Sequence, residues 1–290
     1  MTLTEQLGIS IPIILAPMGG GVDVDLAAAV SNAGGLGLIP LWWAEPAVVG
    51  EKIRALAQRT ERPFGINLNN NYPQDEHLAV AIDSGAKIVS FFWGLNAERI
   101  NRAKAAGLTV MQTVGSAAEA RAAVDAGADF VVAQGWEAGG HVWGTIGTLA
   151  LVPSVVDAVP KTPVIAAGGI ADGRGVAAVM ALGAAGAWIG TRFLMADEAS
   201  GEQVNRDLLI AVSDSATVMG KDGNETWRDS AIRWVGQPSG RWEYDYRPAG
   251  SQLAGQGVGL LKRQQSAAEI VAEIWAEAKA TMAALGQRAV

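Results

Sequence analysis

One of the two histidines in this 290-residue chain lies in the stretch QGWEAGGHVWG, which begins at Gln134. This histidine, His141, directly follows the glycine pair Gly139 and Gly140. Paired glycines let the backbone approach another group closely, and an imidazole can move a proton near neutral pH. We therefore predict that this stretch belongs to a reaction centre in which His141 is the catalytic residue.

Two further glycine-bearing stretches are of the kind that bind phosphate. AAGGIADGRG contains Gly168 and Gly169, and IGTRF contains Gly190 and Thr191. Backbone N–H groups and a hydroxyl bind anions, and in (β/α)8 barrels a phosphate often lies on the loops after the last two strands. The alternative is that these glycines serve only tight packing between helix and strand.

Composition excludes several classes of function. The net charge is −7 and we find no run of Lys or Arg, which argues against nucleic acid and against an anionic membrane surface. The absence of cysteine excludes disulfides, thiolate nucleophiles, iron–sulfur clusters and cysteine zinc sites, and we expect no metal site. The N-terminus does not have the pattern of a signal peptide, and the longest apolar stretch, Val176–Gly190, is too short to span a membrane. We expect a cytoplasmic protein with a small-molecule substrate, and the sequence leaves a homodimer open.

The elements that must position these residues alternate between short apolar runs and Ala-rich segments with helical spacing. Continuous apolar strands are typical of a parallel sheet covered by helices, and a glycine just after a helix is a common stop. The eight predicted strands are Pro12–Pro17, Gly35–Pro40, Pro63–Leu68, Lys87–Phe92, Leu108–Thr113, Asp129–Gln134, Pro163–Gly168 and Ala187–Thr191. Eight such units predict an α/β fold, a TIM (β/α)8 barrel over residues 1–194, with an open doubly wound sheet as the alternative.

The remaining third of the chain is predicted to decorate this barrel as part of one domain. Residues 195–265 are more polar and are predicted to form an excursion of short helices and loops over the barrel mouth. Within it, the charged stretch KDGNETWRD is interpreted as solvated surface. Residues 266–290 carry apolar residues at helical spacing from Ser266 to Leu285, which predicts a helix that packs back on the barrel.

Active sites of such barrels lie at the carboxyl ends of the strands, which turns the strand assignment into a set of candidate residues. Besides the residues above, the candidates are Ala16, Pro17, Met18, Asn67, Gln112 and Gln134. Five of the ten tryptophans also follow predicted strands: Trp42, Trp43, Trp93, Trp136 and Trp143. Since indoles offer large apolar surfaces, we predict an aromatic-lined pocket for a bulky or apolar substrate.

The motifs APM, PFGINL, AQGWEAGGHVWG, IAAGGIADGRG, IGTRFL and LAGQGVG, in this order over nearly the whole chain, resemble the nitronate monooxygenase family. FMN-dependent enoyl-ACP reductases and NADH:quinone reductases are related to that family. The resemblance implies a TIM barrel that holds FMN without a covalent bond, and an active-site histidine at His141. The FMN phosphate would be held by Gly168, Gly169, Gly190 and Thr191. The ring would lie near Ala16, Pro17, Met18, Asn67, Gln112, Gln134, Gly139 and Gly140.

The resemblance implies an oxidoreductase that converts an alkyl nitronate with O2 to a carbonyl compound and nitrite, without a nicotinamide. The alternative is an NAD(P)H-dependent FMN reductase that acts on an enoyl thioester or a quinone. Two other classes are a flavin-free barrel enzyme and a flavin-binding module without turnover. A Schiff-base aldolase is disfavoured, because no lysine lies at the carboxyl end of a predicted strand.

Overall fold

The computed structural model describes residues 1–236 and 246–288 of the chain. Within them, the strands are β1 (Ile13–Leu15), β2 (Gly37–Pro40), β3 (Phe64–Asn69), β4 (Ile88–Phe92), β5 (Thr109–Val114), β6 (Phe130–Gln134), β7 (Gly140–His141), β8 (Val164–Ala167), β9 (Gly186–Ile189), β10 (Thr217–Lys221) and β11 (Ala231–Val235). The α-helices there are α1 (Leu3–Leu7), α2 (Val24–Asn32), α3 (Pro46–Arg59), α4 (Asp75–Asp83), α5 (Ala97–Ala105), α6 (Ala117–Asp125), α7 (Thr148–Ala158), α8 (Gly173–Ala181), α9 (Gln203–Ala211) and α10 (Ala267–Arg288). No helix in these two ranges is long and apolar enough to cross a bilayer.

Eight of the described strands form a parallel sheet that closes on itself. The order is β1–β2–β3–β4–β5–β6–β8–β9, and β9 pairs with β1. The seam between β1 and β2 is an isolated bridge between Ile14 and Leu36, where the N–H of Leu15 donates to the carbonyl oxygen of Leu36 at 2.9 Å. Helices connect successive strands, so the predicted (β/α)8 barrel is confirmed, with strand ends that differ from the predicted ones by at most two residues.

The barrel strands are buried on both faces, which is why they are continuously apolar. In β1, for example, Ile13, Ile14 and Leu15 are all fully buried. Alternate side chains point into the barrel and out toward the helices. The interior set includes Ile14 and Trp188, and Leu3 of α1 packs in the same cluster, so α1 lies against the amino-terminal end of the barrel.

Two local features fix the helices that flank the last strands. Asp172 caps α8, because its carboxylate accepts from the N–H groups of Arg174 and Gly175 at 3.0 and 3.1 Å. Helix α10 packs on α8 and α2. At the α8–α10 contact, a Cβ on Gly173 would lie 2.5 Å from the carbonyl oxygen of Ile274, so only glycine permits this approach.

The excursion after the barrel contains a small antiparallel sheet that the sequence did not predict. Its order is β10–β11–β7, and β7 lies in the loop after β6. The register pairs Ile232 of β11 with His141, and Arg233 with Gly140. The excursion is therefore not made of short helices and loops alone, and its hairpin lies at the carboxyl end of the barrel. Residues 237–245 of the predicted excursion lie outside the described residues.

Candidate active site

A cavity of about 760 Å³ opens at the carboxyl ends of the barrel strands. This volume is in the range of sites that hold a cofactor or a drug-sized ligand. Most of the residues singled out in the sequence line it: Ala16, Pro17, Met18, Trp42, Trp43, Asn67, Gln134, Gly139, Gly140, His141, Gly168, Gly169, Gly190 and Thr191. Loops far apart in sequence are thus brought to one site by the strand order.

Gln112 is not among the lining residues, although the sequence placed it at the flavin. Its neighbour Thr113 lines the cavity instead. Since successive side chains of a strand point to opposite faces, a choice wrong by one residue selects the opposite face. The Gln112 side chain is buried, and its Nε2 donates to the carbonyl oxygens of Gly94 and Thr113 at 3.0 and 2.8 Å.

Three of the five predicted pocket tryptophans also lie outside the lining. Trp143 donates from Nε1 to Oε2 of Glu119 at 2.7 Å, and its ring meets the edge of Trp93 with centroids 5.0 Å apart. Trp93 in turn contacts the rings of His141 and Trp227, at 5.8 and 4.9 Å. Trp93 and Trp143 therefore support the cavity wall from behind, and Trp136 is half-buried in the loop that leads to β7.

Trp42 and Trp43, which do line the cavity, belong to an aromatic wall completed by two residues missed in the sequence. We define this aromatic wall as Trp42, Trp43, Tyr72 and Trp227. The rings of Trp42 and Trp43 meet edge to face at 4.6 Å, and Trp42 contacts Tyr72 and Trp227 at 5.0 and 5.8 Å. Trp43 is 48% exposed, so this wall reaches from the cavity to its mouth.

His141 is held between the barrel and the excursion. Its backbone lies in β7, where its carbonyl oxygen accepts from Nε2 of Gln134 at 3.2 Å. Its ring Nε2 lies 2.9 Å from Oδ2 of Asp222, and its ring stacks on Trp227 with centroids 3.8 Å apart. Because a carboxylate only accepts hydrogen bonds, Nε2 carries the proton of the neutral ring and Nδ1 carries the lone pair.

This setting keeps the imidazole neutral at ordinary pH. Burial lowers the pKa of His141 from 6.5 to about 4, the negative charge and hydrogen bond of Asp222 oppose that shift, and the positive charge of Arg247 adds to it. A neutral imidazole with a free lone pair is a proton acceptor. The site can therefore supply a base that is unprotonated over the whole neutral range.

Asp222 and Trp227 come from the KDGNETWRD stretch, for which the interpretation as solvated surface is wrong at these two positions. Both are buried, whereas the intervening residues 223–226 are exposed. The N–H of Asn224 donates to Oδ1 of Asp222 at 2.9 Å, which orients the carboxylate. The sequence signal that could have indicated a buried role for this segment was its tryptophan, a large apolar residue within a charged stretch.

A second part of the cavity is built mainly from backbone. Gly168 and Gly169 have φ values of 103° and 72°, a region that glycine adopts without strain. Beside them, the Thr191 hydroxyl oxygen accepts from the N–H of Gly255 at 2.9 Å, which leaves its own proton free to donate. Since N–H and O–H donors and no carboxylate of the described chain line the cavity, this end fits a phosphate.

A further donor in the cavity lacks a partner. Asn69 is fully buried and lines the cavity, and its Nδ2 makes no hydrogen bond to any described residue. Nearby, Asn67 donates from Nδ2 to Oγ of Ser90 at 2.8 Å. Because a buried donor without a partner costs about 1–3 kcal/mol, Asn69 fits a ligand that presents an acceptor there.

Glu137 acts within the scaffold. Its carboxylate accepts from the N–H of Thr148, with Oε2 at 2.8 Å, and from the Thr148 hydroxyl at 2.9 Å. It thus caps the start of α7 and holds the glycine loop before β7 in place. With both oxygens engaged by Thr148, the Glu137 carboxylate has a structural role in this loop.

The described lining of this cavity is rich in glycine and holds one histidine and no carboxylate, and it lies at the carboxyl end of a parallel barrel, where barrel enzymes have their active sites. The family model for nitronate monooxygenase matches residues 1–78 and 68–237. The chain therefore belongs to the nitronate monooxygenase family, as its motifs predicted.

The proteins similar to this chain are named for more than one activity. A (3aS,4S,5R,7aS)-5-hydroxy-7a-methyl-1-oxo-octahydro-1H-indene-4-carboxyl-CoA dehydrogenase of Mycobacterium tuberculosis is 39% identical over 223 residues, which cover 74% of this chain and 62% of that protein. A probable nitronate monooxygenase of Staphylococcus aureus is 34% identical over 265 residues. The match covers 76% of this chain and 74% of that protein. The structure of FabK from Thermotoga maritima has a TM-score of 0.90 at 33% identity and covers 99% of both chains. The names of the two sequence relatives are those of oxidoreductases, the enzyme class that the sequence predicted.

Proposed function

We propose that this protein is an FMN-dependent oxidoreductase that converts an alkyl nitronate with O2 to a carbonyl compound and nitrite. The observation that carries the proposal is a neutral His141, held by Asp222, in a cavity whose described lining has no carboxylate. Such a cavity does not repel an anionic substrate, and the imidazole can take up a proton within it. Family membership and the name of the Staphylococcus aureus relative support the same activity.

The residues of the cavity fit FMN at two places. Gly168, Gly169, Gly190 and Thr191 would hold the phosphate through N–H and O–H donors. Asn69 offers its unpartnered amide donor to an acceptor on the bound group. FMN in this site would supply the electron transfer between substrate and O2.

The chain itself would supply the proton transfer and the shielding. Nδ1 of His141 would accept the α-proton when a neutral nitroalkane enters, and Asp222 would stabilise the resulting imidazolium through Nε2. The aromatic wall would contact the alkyl part of the substrate and exclude water from the reacting atoms. A substrate with a bulky alkyl group would fit beside this wall, because three of its rings line the cavity.

A second candidate is NAD(P)H-dependent reduction of an enoyl thioester or quinone on the same cofactor. The carboxyl-CoA dehydrogenase among the relatives supports a thioester substrate. The cavity volume of about 760 Å³ also supports a ligand larger than a small nitronate beside the cofactor.

The test separates the two candidates in one preparation. The purified protein should be yellow and release FMN on denaturation. With propyl-2-nitronate and O2, it should produce nitrite while oxygen is consumed, and NADH or NADPH should not bleach it without oxygen. Rapid anaerobic bleaching by a nicotinamide, without nitrite formation from the nitronate, would replace the first candidate by the second. A colourless, folded protein that does not bind added FMN would refute both.

A further inference from the structure

Arg247 lines the cavity, and neither the motifs nor the barrel accounts for its presence there. It follows Tyr246, which bridges to Lys221 at the end of β10, and its own N–H donates to the carbonyl oxygen of Lys221 at 2.8 Å. Its half-buried side chain lines the cavity on the side of the excursion. The backbone is therefore fixed by the small sheet, and the guanidinium lies at the site.

The guanidinium is poorly satisfied within the described chain. Nη1 is 3.4 Å from the carbonyl oxygen of Pro248, near the limit of a hydrogen bond, and the buried Nε has no partner there. No ion pair joins Arg247 to a carboxylate of the described residues. Removing an arginine from water without a partner is unfavourable, so a ligand that supplies acceptors would stabilise this arrangement.

Arg247 is also the one fully charged side chain among the described residues that line the cavity, since His141 is neutral. Its positive charge acts on the imidazole of His141, which places the two groups within electrostatic reach of each other. A ligand anion that pairs with Arg247 would thus lie beside His141. The Asp222 carboxylate is already engaged by His141 and by the N–H of Asn224.

We propose that Arg247 is a specificity-determining residue that binds the two-oxygen anionic group of the substrate beside His141. The planar fork of N–H donors matches an anion whose charge is shared by two oxygens, as in a nitronate or a carboxylate. Naming the anion a nitronate depends on the proposed function, whereas binding of such an anion does not. The site then favours the nitronate over the neutral nitroalkane of the same carbon skeleton.

The first experiment measures binding without turnover. Benzoate, an inert two-oxygen anion with an aromatic body, and benzamide, its neutral counterpart, are titrated into the FMN-loaded protein while tryptophan fluorescence and flavin absorbance are recorded. Benzoate should bind more tightly than benzamide in the wild type. Arg247→Met should weaken benzoate by about 10- to 100-fold, the range for a charge-assisted hydrogen bond, and leave benzamide unchanged.

Matched variants exclude a structural cause. Arg247→Lys keeps the charge without the fork and should recover part of the benzoate affinity. Arg228→Met removes an exposed arginine of the same excursion and should leave benzoate binding unchanged. Each variant is compared with the wild type in FMN content and circular dichroism, and if Arg247→Met loses FMN, Arg247→Lys and Arg247→Gln decide the question.

The second experiment measures specificity. Arg247→Met should raise KM for propyl-2-nitronate by the same factor, with a smaller change for 2-nitropropane and a kcat within about threefold of the wild type. Benzoate and benzamide affinities that are equal in the wild type, or unchanged in Arg247→Met, would overturn the proposal even if the nitronate is oxidised. Arg247-dependent benzoate binding in a protein that does not oxidise nitronates would uphold the anion site and refute the proposed function.

Discussion

The indole of Trp227 stacks on the imidazole of His141, with ring centroids 3.8 Å apart and an angle of 19° between the planes. One ring follows β6 of the barrel and the other lies in a 3₁₀ turn of the excursion. The indole removes water from one face of the imidazole, and this burial is the largest cause of the lowered pKa of His141. The protonation state of His141 is therefore set by a residue that belongs to the excursion and not to the barrel.

Removing this indole should raise the pKa of His141. In Trp227→Ala, water reaches the imidazole, and its pKa should rise from about 4 toward 6.5. Trp227→Phe keeps an apolar ring and should retain most of the shift. The measurement is an NMR titration of the His141 ring, with His77 as internal reference. A pKa that stays near 4 in Trp227→Ala would show that other neighbours bury the imidazole.

Changing Asp222 to Asn should impair proton transfer while the fold is kept. The amide introduced by Asp222→Asn can donate to Nε2 of His141, which favours the tautomer with its proton on Nδ1 and removes the lone pair from the working position. We expect kcat for 2-nitropropane to fall by about 100-fold or more, the usual weight of acid–base catalysis. FMN content should not change.

The matched control for Asp222 is Asp214→Asn, an exposed carboxylate of the same excursion, which should keep wild-type kcat. With a preformed nitronate, which needs no α-proton removal, Asp222→Asn should lose much less activity than with 2-nitropropane. Equal losses on both substrates would assign Asp222 to another step.

Acid should destabilise the protein through His141. Because its folded pKa, about 4, lies below the 6.5 of an unfolded histidine, the unfolded state binds more protons between these values. The free energy of unfolding should therefore fall as the pH drops from 6.5 to 4, by up to about 3 kcal/mol from this residue. Urea unfolding at pH 7, 5.5 and 4.5 measures the effect. In His141→Asn the slope should be shallower, and identical slopes would remove His141 as its source.

Gly168→Ala should weaken FMN binding. At a φ of 103° an alanine is strained, and its Cβ would lie 2.9 Å from the carbonyl oxygen of Gly135. We expect at least about a tenfold rise in the dissociation constant of FMN, measured by fluorescence titration of the apoprotein. Gly85→Ala is the control: it has a similar φ of 86°, meets nothing within 4 Å and lies outside the cavity.

Gly173→Ala tests the contact between α8 and α10. The added Cβ would meet backbone atoms of α10, which cannot move aside without displacing the helix. We expect a loss of about 1–3 kcal/mol in the free energy of unfolding, with FMN affinity nearly unchanged. Gly286→Ala in the same helix α10 meets no neighbour and should be neutral or slightly stabilising. A neutral Gly173→Ala would show that the two helices can separate at this point.

The barrel and the glycine end of the site could be predicted from the sequence because their signals are local. Apolar strands, helix-stopping glycines and GG or GT pairs at strand ends each lie within a few residues. The short helix α1 was missed although its signal is also local: Thr2 and Glu5 form a capping box, with the N–H of Thr2 donating to Glu5 at 2.7 Å. The limit of such reasoning is seen in β5, where Thr113 lines the cavity and the predicted Gln112 does not. A shift of one residue along a strand moves a side chain to the opposite face of the sheet.

The residues around His141 could not be predicted in this way. Asp222 lies 81 residues further along the chain, and only the pairing of β11 with β7 brings it to the imidazole. A strand of two residues has no periodicity by which it could be recognised. Arg247 was missed for the same reason, because its role depends on a cavity and not on a motif.

Strand β7, which carries His141, pairs with β11 of the excursion hairpin and not with a barrel strand. The glycine-lined part of the cavity is thereby separate from the excursion, which places Asp222, Trp227 and the positive charge of Arg247 near the imidazole. Grafting residues 217–235 and 246–255 from one relative onto the barrel of another would transfer the acidity of the histidine and the choice of substrate together. We therefore expect that changes confined to this hairpin alter the protonation of His141 and leave the glycine-lined part of the cavity unchanged.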